Sequence, residues 1–206
     1  MERQNDFQND EIEIDLKDLL FEILIYWKWI VLATIITAGI TFAVSKFVII
    51  PQYESTSELY VLSKSTSITS LADIQTGTSL TNDYIVVVKG RPVLDQVIEN
   101  LGINETYTSL GNKITLDNPS NSRVLKITVR DKDPQRAKVI ADEIANVASA
   151  YIAAKMNQDP PTVIQNGYSD GGPVSPSIGK NTVIGALGGA FLAIAVIVIS
   201  YLFNDT

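Results

Sequence analysis

At 206 residues, 46% of them apolar, the chain has room for one ordinary domain and additional hydrophobic segments. Its 23 acidic and 16 basic residues leave a net charge of -7, which argues against a phosphate-backbone partner, because such binding needs clustered Lys and Arg. The absence of cysteine and histidine removes thiol nucleophiles, disulfides, the usual zinc sites and imidazole acid–base catalysis, and neither a cofactor nor a metal is expected.

Residues 1–28 form an amphipathic, cytoplasmic amino-terminal segment. On a helical wheel EIEIDLKDLLFEILIYW gathers Glu11, Asp15, Asp18 and Glu22 into one stripe beside an apolar face of Ile12, Leu16, Leu19, Ile23 and Trp27. Anionic headgroups repel such a stripe, so a protein partner or a neighbouring copy suits it better than a lipid surface. The competing reading is a plain solvated face.

Residues 29–50, WIVLATIITAGITFAVSKFVII, carry one charge, Lys46, and as a helix span about 33 Å, enough to cross the hydrocarbon core. A cleaved signal peptide is a poor fit, since the preceding residues are acid-rich, the run is too long and no small-x-small site follows.

Residues 51–172 read as a compact α+β domain. SELYVLSKS and VLKITVR (124–130) alternate as strands do. KITLDNPSNSRVLKITV reads as two strands joined by a turn at Asn118–Asn121, and TVIQ (162–165) is a further strand. RPVLDQVIENLGI is a helix with Pro92 in its first turn and Gly102 at its stop. DPQRAKVIADEIANVASAYIAAK is a longer helix capped by Asp133, with a sticky face running from Ala137 to Tyr151. The Ser/Thr-rich stretch from Ser63 to Asp83 is expected to be a loop or a poorly ordered excursion.

Residues 173–181 are a proline-containing approach to the second span. Pro173 and Pro176 hold the chain stiff and extended until Ser177, which fixes the depth at which the span begins. Residues 182–203 carry no charge and form the second transmembrane helix; only residues 204–206 follow, as a short cytoplasmic tail. Gly185, Gly189 and Ala193 make a small-residue stripe suited to close helix packing, either against Ala33, Thr37 and Thr41 of the first span or against another subunit.

Two spans give a helical membrane hairpin carrying an α+β extracytoplasmic domain, with both termini cytoplasmic. Tyr26, Trp27, Trp29 and Tyr201 share one interfacial belt and Tyr53 marks the opposite face. On the long helix, Arg136, Lys138, Asp142 and Glu143 are candidates for pairing between subunits, although a solvated face is the default for such charges. A glycan hydrolase would need two carboxylates facing each other at roughly 5 to 10 Å. Asp117, Asp131, Asp133, Asp142 and Glu143 are present, but each has an ordinary explanation as turn, cap or helix surface.

Four segments carry a resemblance: EIDLKDLLFEILIYWKWI, TNDYIVVVKGRPVLDQVIENLGI, KITLDNPSNSRVLKITVRDKDPQRAKVIADEIANV, and PVSPSIGKN, in which Pro173, Pro176 and Asn181 precede a glycine-bearing span. In their order and spacing the chain resembles the polysaccharide co-polymerase (chain-length determinant, Wzz-type) family, and more narrowly the Gram-positive capsular or exopolysaccharide biosynthesis modulators that pair with a cytoplasmic tyrosine kinase. The resemblance implies a non-enzymatic, homo-oligomeric regulator of the plasma membrane that works with the polysaccharide polymerase and the lipid-linked glycan and sets polymer length. Two departures stand out. The family's kinase-activating tail after the second span is reduced here to three residues: a shortened chain is the first explanation, and the others are kinase engagement through the amino-terminal acidic helix or a protein that lacks that function. The family's additional upstream proline is replaced by NGYSDGG. A membrane-anchored extracellular sensor or glycan-binding module, with the Ser63–Asp83 stretch as its mobile element, is the alternative function.

Overall fold

The structure, a computed structural model, describes residues 16–62, 71–156 and 158–204. It divides into a body, Ile50–Pro176, and a second unit formed by the flanking chain on either side.

The flanking unit contains α1 (Leu16–Ile25), α2 (Trp27–Phe47) and α7 (Ile178–Asn204). A turn at Tyr26 separates α1 from α2, so the amphipathic stretch and the first span are two helices. Of the acidic stripe, Asp18 and Glu22 lie on α1, whereas Glu11 and Asp15 lie outside the described residues. Residues 27–47 and 178–203 are long and apolar enough to be candidate membrane spans. Helix α7 starts at Ile178, earlier than the expected span, because Gly179, Lys180 and Asn181 continue the same helical turns before the uncharged run begins. Large side chains such as Ile35, Ile40, Ile184, Leu187 and Phe191 stay exposed. So much open apolar surface is what a lipid-facing helix requires and what a water-facing one avoids.

The body is built in chain order from β1 (Tyr53–Tyr60), α3 (Leu71–Val88), α4 (Arg91–Leu101), α5 (Tyr107–Asn112), β2 (Ile114–Asp117), β3 (Val124–Asp131), α6 (Pro134–Met156) and β4 (Thr162–Tyr168). The four strands form an antiparallel sheet in the order β2-β3-β1-β4. Burial follows the strand period of two. Ser55, Ser57 and Leu59 of β1 and Leu125, Ile127 and Val129 of β3 point to one face, where α6 covers them with Ala137, Ile140, Ala141, Ile144, Ala148 and Ile152. Val93, Leu94 and Val97 of α4 close the core from the side. The opposite face stays open and polar, with Thr56 Oγ1 and Thr128 Oγ1 hydrogen-bonded at 2.9 Å and Lys126 Nζ 3.1 Å from Glu58.

Local sequence accounts for several element ends. Pro92 sits in the first turn of α4, and Gly102 ends that helix in the left-handed region at φ 60. Asp133 caps α6 by accepting from Gln135 N at 2.9 Å. Ser120 and Asn121 take positive φ in the turn between β2 and β3.

Two expectations need correction. Strand β1 begins at Tyr53, not near Ser57, since all eight of its residues pair with β3. The stretch expected to be a loop becomes helix α3 from Leu71 onward; residues 63–70 lie outside the described residues. Gly77, Thr81, Tyr84 and Val88 form its buried stripe at helical spacing. The Thr81 hydroxyl is satisfied by donating to Gly77 O at 2.8 Å, so a polar residue enters the core without an unpaired group.

Candidate functional site

In the flanking unit, Ser45 of α2 meets Asn181 of α7 through a hydrogen bond from Asn181 Nδ2 to Ser45 Oγ at 2.9 Å. Four residues further along each helix, Gly185 lies against Thr41, and four further again Gly189 lies against Thr37. A Cβ at either glycine would come within 2.7 and 2.8 Å of the opposing threonine Cβ. The matched steps in opposite chain directions make the helices antiparallel. Thr37 and Thr41 donate their hydroxyls to carbonyls of their own helix, so the contact is one of close shape rather than of hydrogen bonds across the seam. Only glycine leaves room there.

One step beyond, Ala33 and Ala193 line a groove of about 780 Å³ whose rim carries Glu22, Tyr26, Trp29 and Tyr201. Three of the aromatic residues expected to share an interfacial belt therefore gather at one end of the helix pair. Near the other end, the Lys46 ammonium lies 5.6 and 5.5 Å from the ring centres of Phe42 and Phe47, a cation–π arrangement.

The proline segment has its own geometry within the body. Gln52 N donates to Ser175 O and Val174 N donates to Gln52 O, both at 2.8 Å. Pro173 and Pro176 flank these two residues and, lacking an N–H, leave no donor unpaired beside the bridge. The segment thus joins the body's first and last residues. Gln52 carried no sequence signal for this role.

The four charged residues singled out on α6 separate into different surroundings. Asp142 accepts from Ser57 Oγ at 2.8 Å and from Gly167 N, and so ties the helix to β1 and β4. Glu143 accepts from Asn100 Nδ2 at 2.6 Å. Lys138 packs against Gly167. Arg136 pairs with Glu105 at 2.6 Å and lies 3.8 Å from Asp131. Lys113 completes that cluster, 2.7 Å from Glu105 and 3.0 Å from Asp131.

Burial alone would raise the Asp131 pKa, but the hydrogen bonds from Lys113 and Asp133 N, with the charges of Lys113 and Arg136, hold it below the ordinary aspartate value. Burial likewise opposes the charge on Lys113, yet the two carboxylates keep its pKa above the usual lysine value. Asp131 and Asp133 therefore have structural roles as ion-pair and cap. Among the described residues no three acidic side chains converge as metal ligands would.

Residues 12–101 match the family model described as chain length determinant protein (Wzz). The capsular polysaccharide biosynthesis protein CpsC of Streptococcus agalactiae is 32% identical, with 98% of this chain and 88% of that protein aligned. CpsC of Streptococcus pneumoniae is 32% identical over 97% of this chain and 87% of its own length. The probable capsular polysaccharide biosynthesis protein YwqC of Bacillus subtilis is 33% identical, with 80% and 72% covered. With similarity running across both candidate spans and the body between them, the chain belongs to the chain length determinant family of capsular polysaccharide biosynthesis.

Proposed function

We propose that this chain is a non-enzymatic membrane regulator of capsular or exopolysaccharide chain length, acting as a homo-oligomer alongside the polymerase and its lipid-linked glycan. The observation that carries the reading is the antiparallel seam Ser45–Asn181, Thr41–Gly185 and Thr37–Gly189 in a chain whose relatives are capsular polysaccharide biosynthesis proteins. A closed hairpin puts both ends of the body on one side of the bilayer, as an extracellular α+β domain, and both termini on the cytoplasmic side. Asp18 and Glu22 of α1 then face the compartment in which a tyrosine kinase would be engaged. Length control requires a fixed geometry around the growing polymer and no bond-making residue of this chain.

Deletion of the gene, followed by gel sizing of the surface polysaccharide and measurement of total polymer sugar, tests this reading. An altered length distribution with polymer still made supports it. An unaltered distribution contradicts it.

A further inference from the structure

Strand β4 is irregular in a way that has a consequence at the surface. Its register against β1 runs Val163 with Leu59, Gln165 with Glu58, and Tyr168 with Thr56, with a shift between each pair. Residues three apart in a regular strand point to opposite faces. Here the shifts put Gln165 and Tyr168 beside Glu58 and Thr56, two residues of the same open face. The second shift is held in place from the other side of the sheet: Gly167 N donates to Asp142 of α6, and a Cβ on Gly167 would lie 2.9 Å from Lys138 O. Bulges of this kind commonly re-aim side chains at functional surfaces.

What they create is a cleft of about 150 Å³ formed by Glu54, Thr56, Gln165, Tyr168, Asp170 and Val174. Tyr168 is 64% exposed, a large aromatic ring left open to water. Around that ring lie the Gln165 amide, whose Nε2 reaches Thr56 O at 3.5 Å, the Thr56 hydroxyl bonded to Thr128, the Glu54 carboxylate paired with Arg130, and the Asp170 carboxylate. Amide and carboxylate groups keep further hydrogen-bonding capacity after one such bond, and beside an exposed ring they suit a polyhydroxylated ligand that stacks its C–H face and presents its hydroxyls. Its charge selects further. Arg130 is paired to Glu54 and Lys126 to Glu58, so the basic groups of this face are matched by carboxylates, and Asp170 adds another negative charge in a chain of net charge -7. This balance of charge suits a neutral ligand better than an anionic one.

We propose that this cleft binds a neutral hexose-containing stretch of glycan. The inference rests on the reading of the chain as a polysaccharide regulator and adds to it a direct contact between body and polymer.

The test uses the full chain in lipid nanodiscs, free of sugar detergents, with a neutral hexasaccharide of glucose, one of galactose, and a hexagalacturonate as probes. Saturation-transfer NMR and titration are expected to show at least one neutral probe binding at least tenfold tighter than the acidic one, and at least tenfold loss of that binding in Tyr168→Ala and in Gln165→Ala. Tyr107→Ala, which removes an exposed tyrosine elsewhere on the body, is expected to bind as the parent does. Circular dichroism establishes that each variant folds, and Tyr168→Phe, which keeps the ring, is expected to retain binding if the Ala variant does not fold. No binding by either neutral probe, equal or tighter binding of the uronate, or binding unchanged in folded Tyr168→Ala or Gln165→Ala would each overturn the proposal. Gel sizing after gene deletion reports on the regulator reading separately, so a chain that controls length but fails to bind sugar defeats only the cleft.

Discussion

Asn181 Nδ2 donates to Ser45 Oγ at 2.9 Å, joining α7 to α2 across 136 positions of sequence. Ser45 is buried, unlike most of its helix. In hydrocarbon, polar side chains that find each other across helices contribute modestly, because the separated helices also find partners. A double-mutant cycle of Ser45→Ala and Asn181→Ala, read by reversible unfolding in mixed micelles, should give a coupling of about 0.6 kcal/mol. Additive single changes would show that the pair does not hold the seam.

Gly185→Leu and Gly189→Leu should force α7 away from α2, since even a Cβ overlaps Thr41 and Thr37. The absence of native cysteine makes the readout clean. With cysteines introduced at positions 45 and 181, oxidative cross-linking should be efficient in the parent and fall severalfold in the leucine variants. An undiminished yield would mean that the helices do not meet along these glycines.

The cluster of Lys113, Glu105, Asp131 and Arg136 gives the body a defined acid dependence. Asp131 titrates below its unfolded value of about 3.8, so its contribution is present above that value and is lost as pH falls through the lower folded pKa. Lys113 titrates above its ordinary value of 10.5, so its contribution is complete below that value and is lost only as pH rises through the higher folded pKa. Asp131→Asn should cost about 2 kcal/mol at neutral pH and flatten the loss of stability on the acid side, as measured by thermal unfolding between pH 7 and pH 2. An unchanged acid limb would remove Asp131 from its cause.

Asp142→Ala should free Gly167 N and Ser57 Oγ from their shared acceptor. A cost of about 1–3 kcal/mol follows if these donors stay buried and unpaired, and the Gly167 amide should exchange with solvent much faster. Protection equal to that of the parent would show that the bulge is held by something else.

The elements legible in the sequence were those whose ends carry their own chemistry. Pro92 and Gly102 bracket α4, Asp133 and Pro134 open α6, and Asn118–Asn121 turn β2 into β3. Helix α3 was hidden because its buried stripe includes Gly77 and Thr81, residues that read as loop until a hydroxyl finds the carbonyl four residues earlier. The small-residue stripe of the second span is readable, and so are Thr37 and Thr41 as one of its two candidate partners; that Gly185 meets Thr41 and Gly189 meets Thr37 within one chain follows only from the register of the helix pair. Asp142 read as a surface charge because its partners, Ser57 and Gly167, lie 85 and 25 positions away. The bulges that aim Gln165 and Tyr168 leave no local signature beyond a glycine.

The hairpin topology is tested most directly by single cysteines placed in this cysteine-free chain at positions 17, 96 and 204, then treated with a membrane-impermeant maleimide on intact cells. Label should reach Gln96→Cys without permeabilisation, and reach Lys17→Cys and Asn204→Cys only after it. Labelling of all three in intact cells, or of none, would place the body and both ends in one compartment and contradict the account.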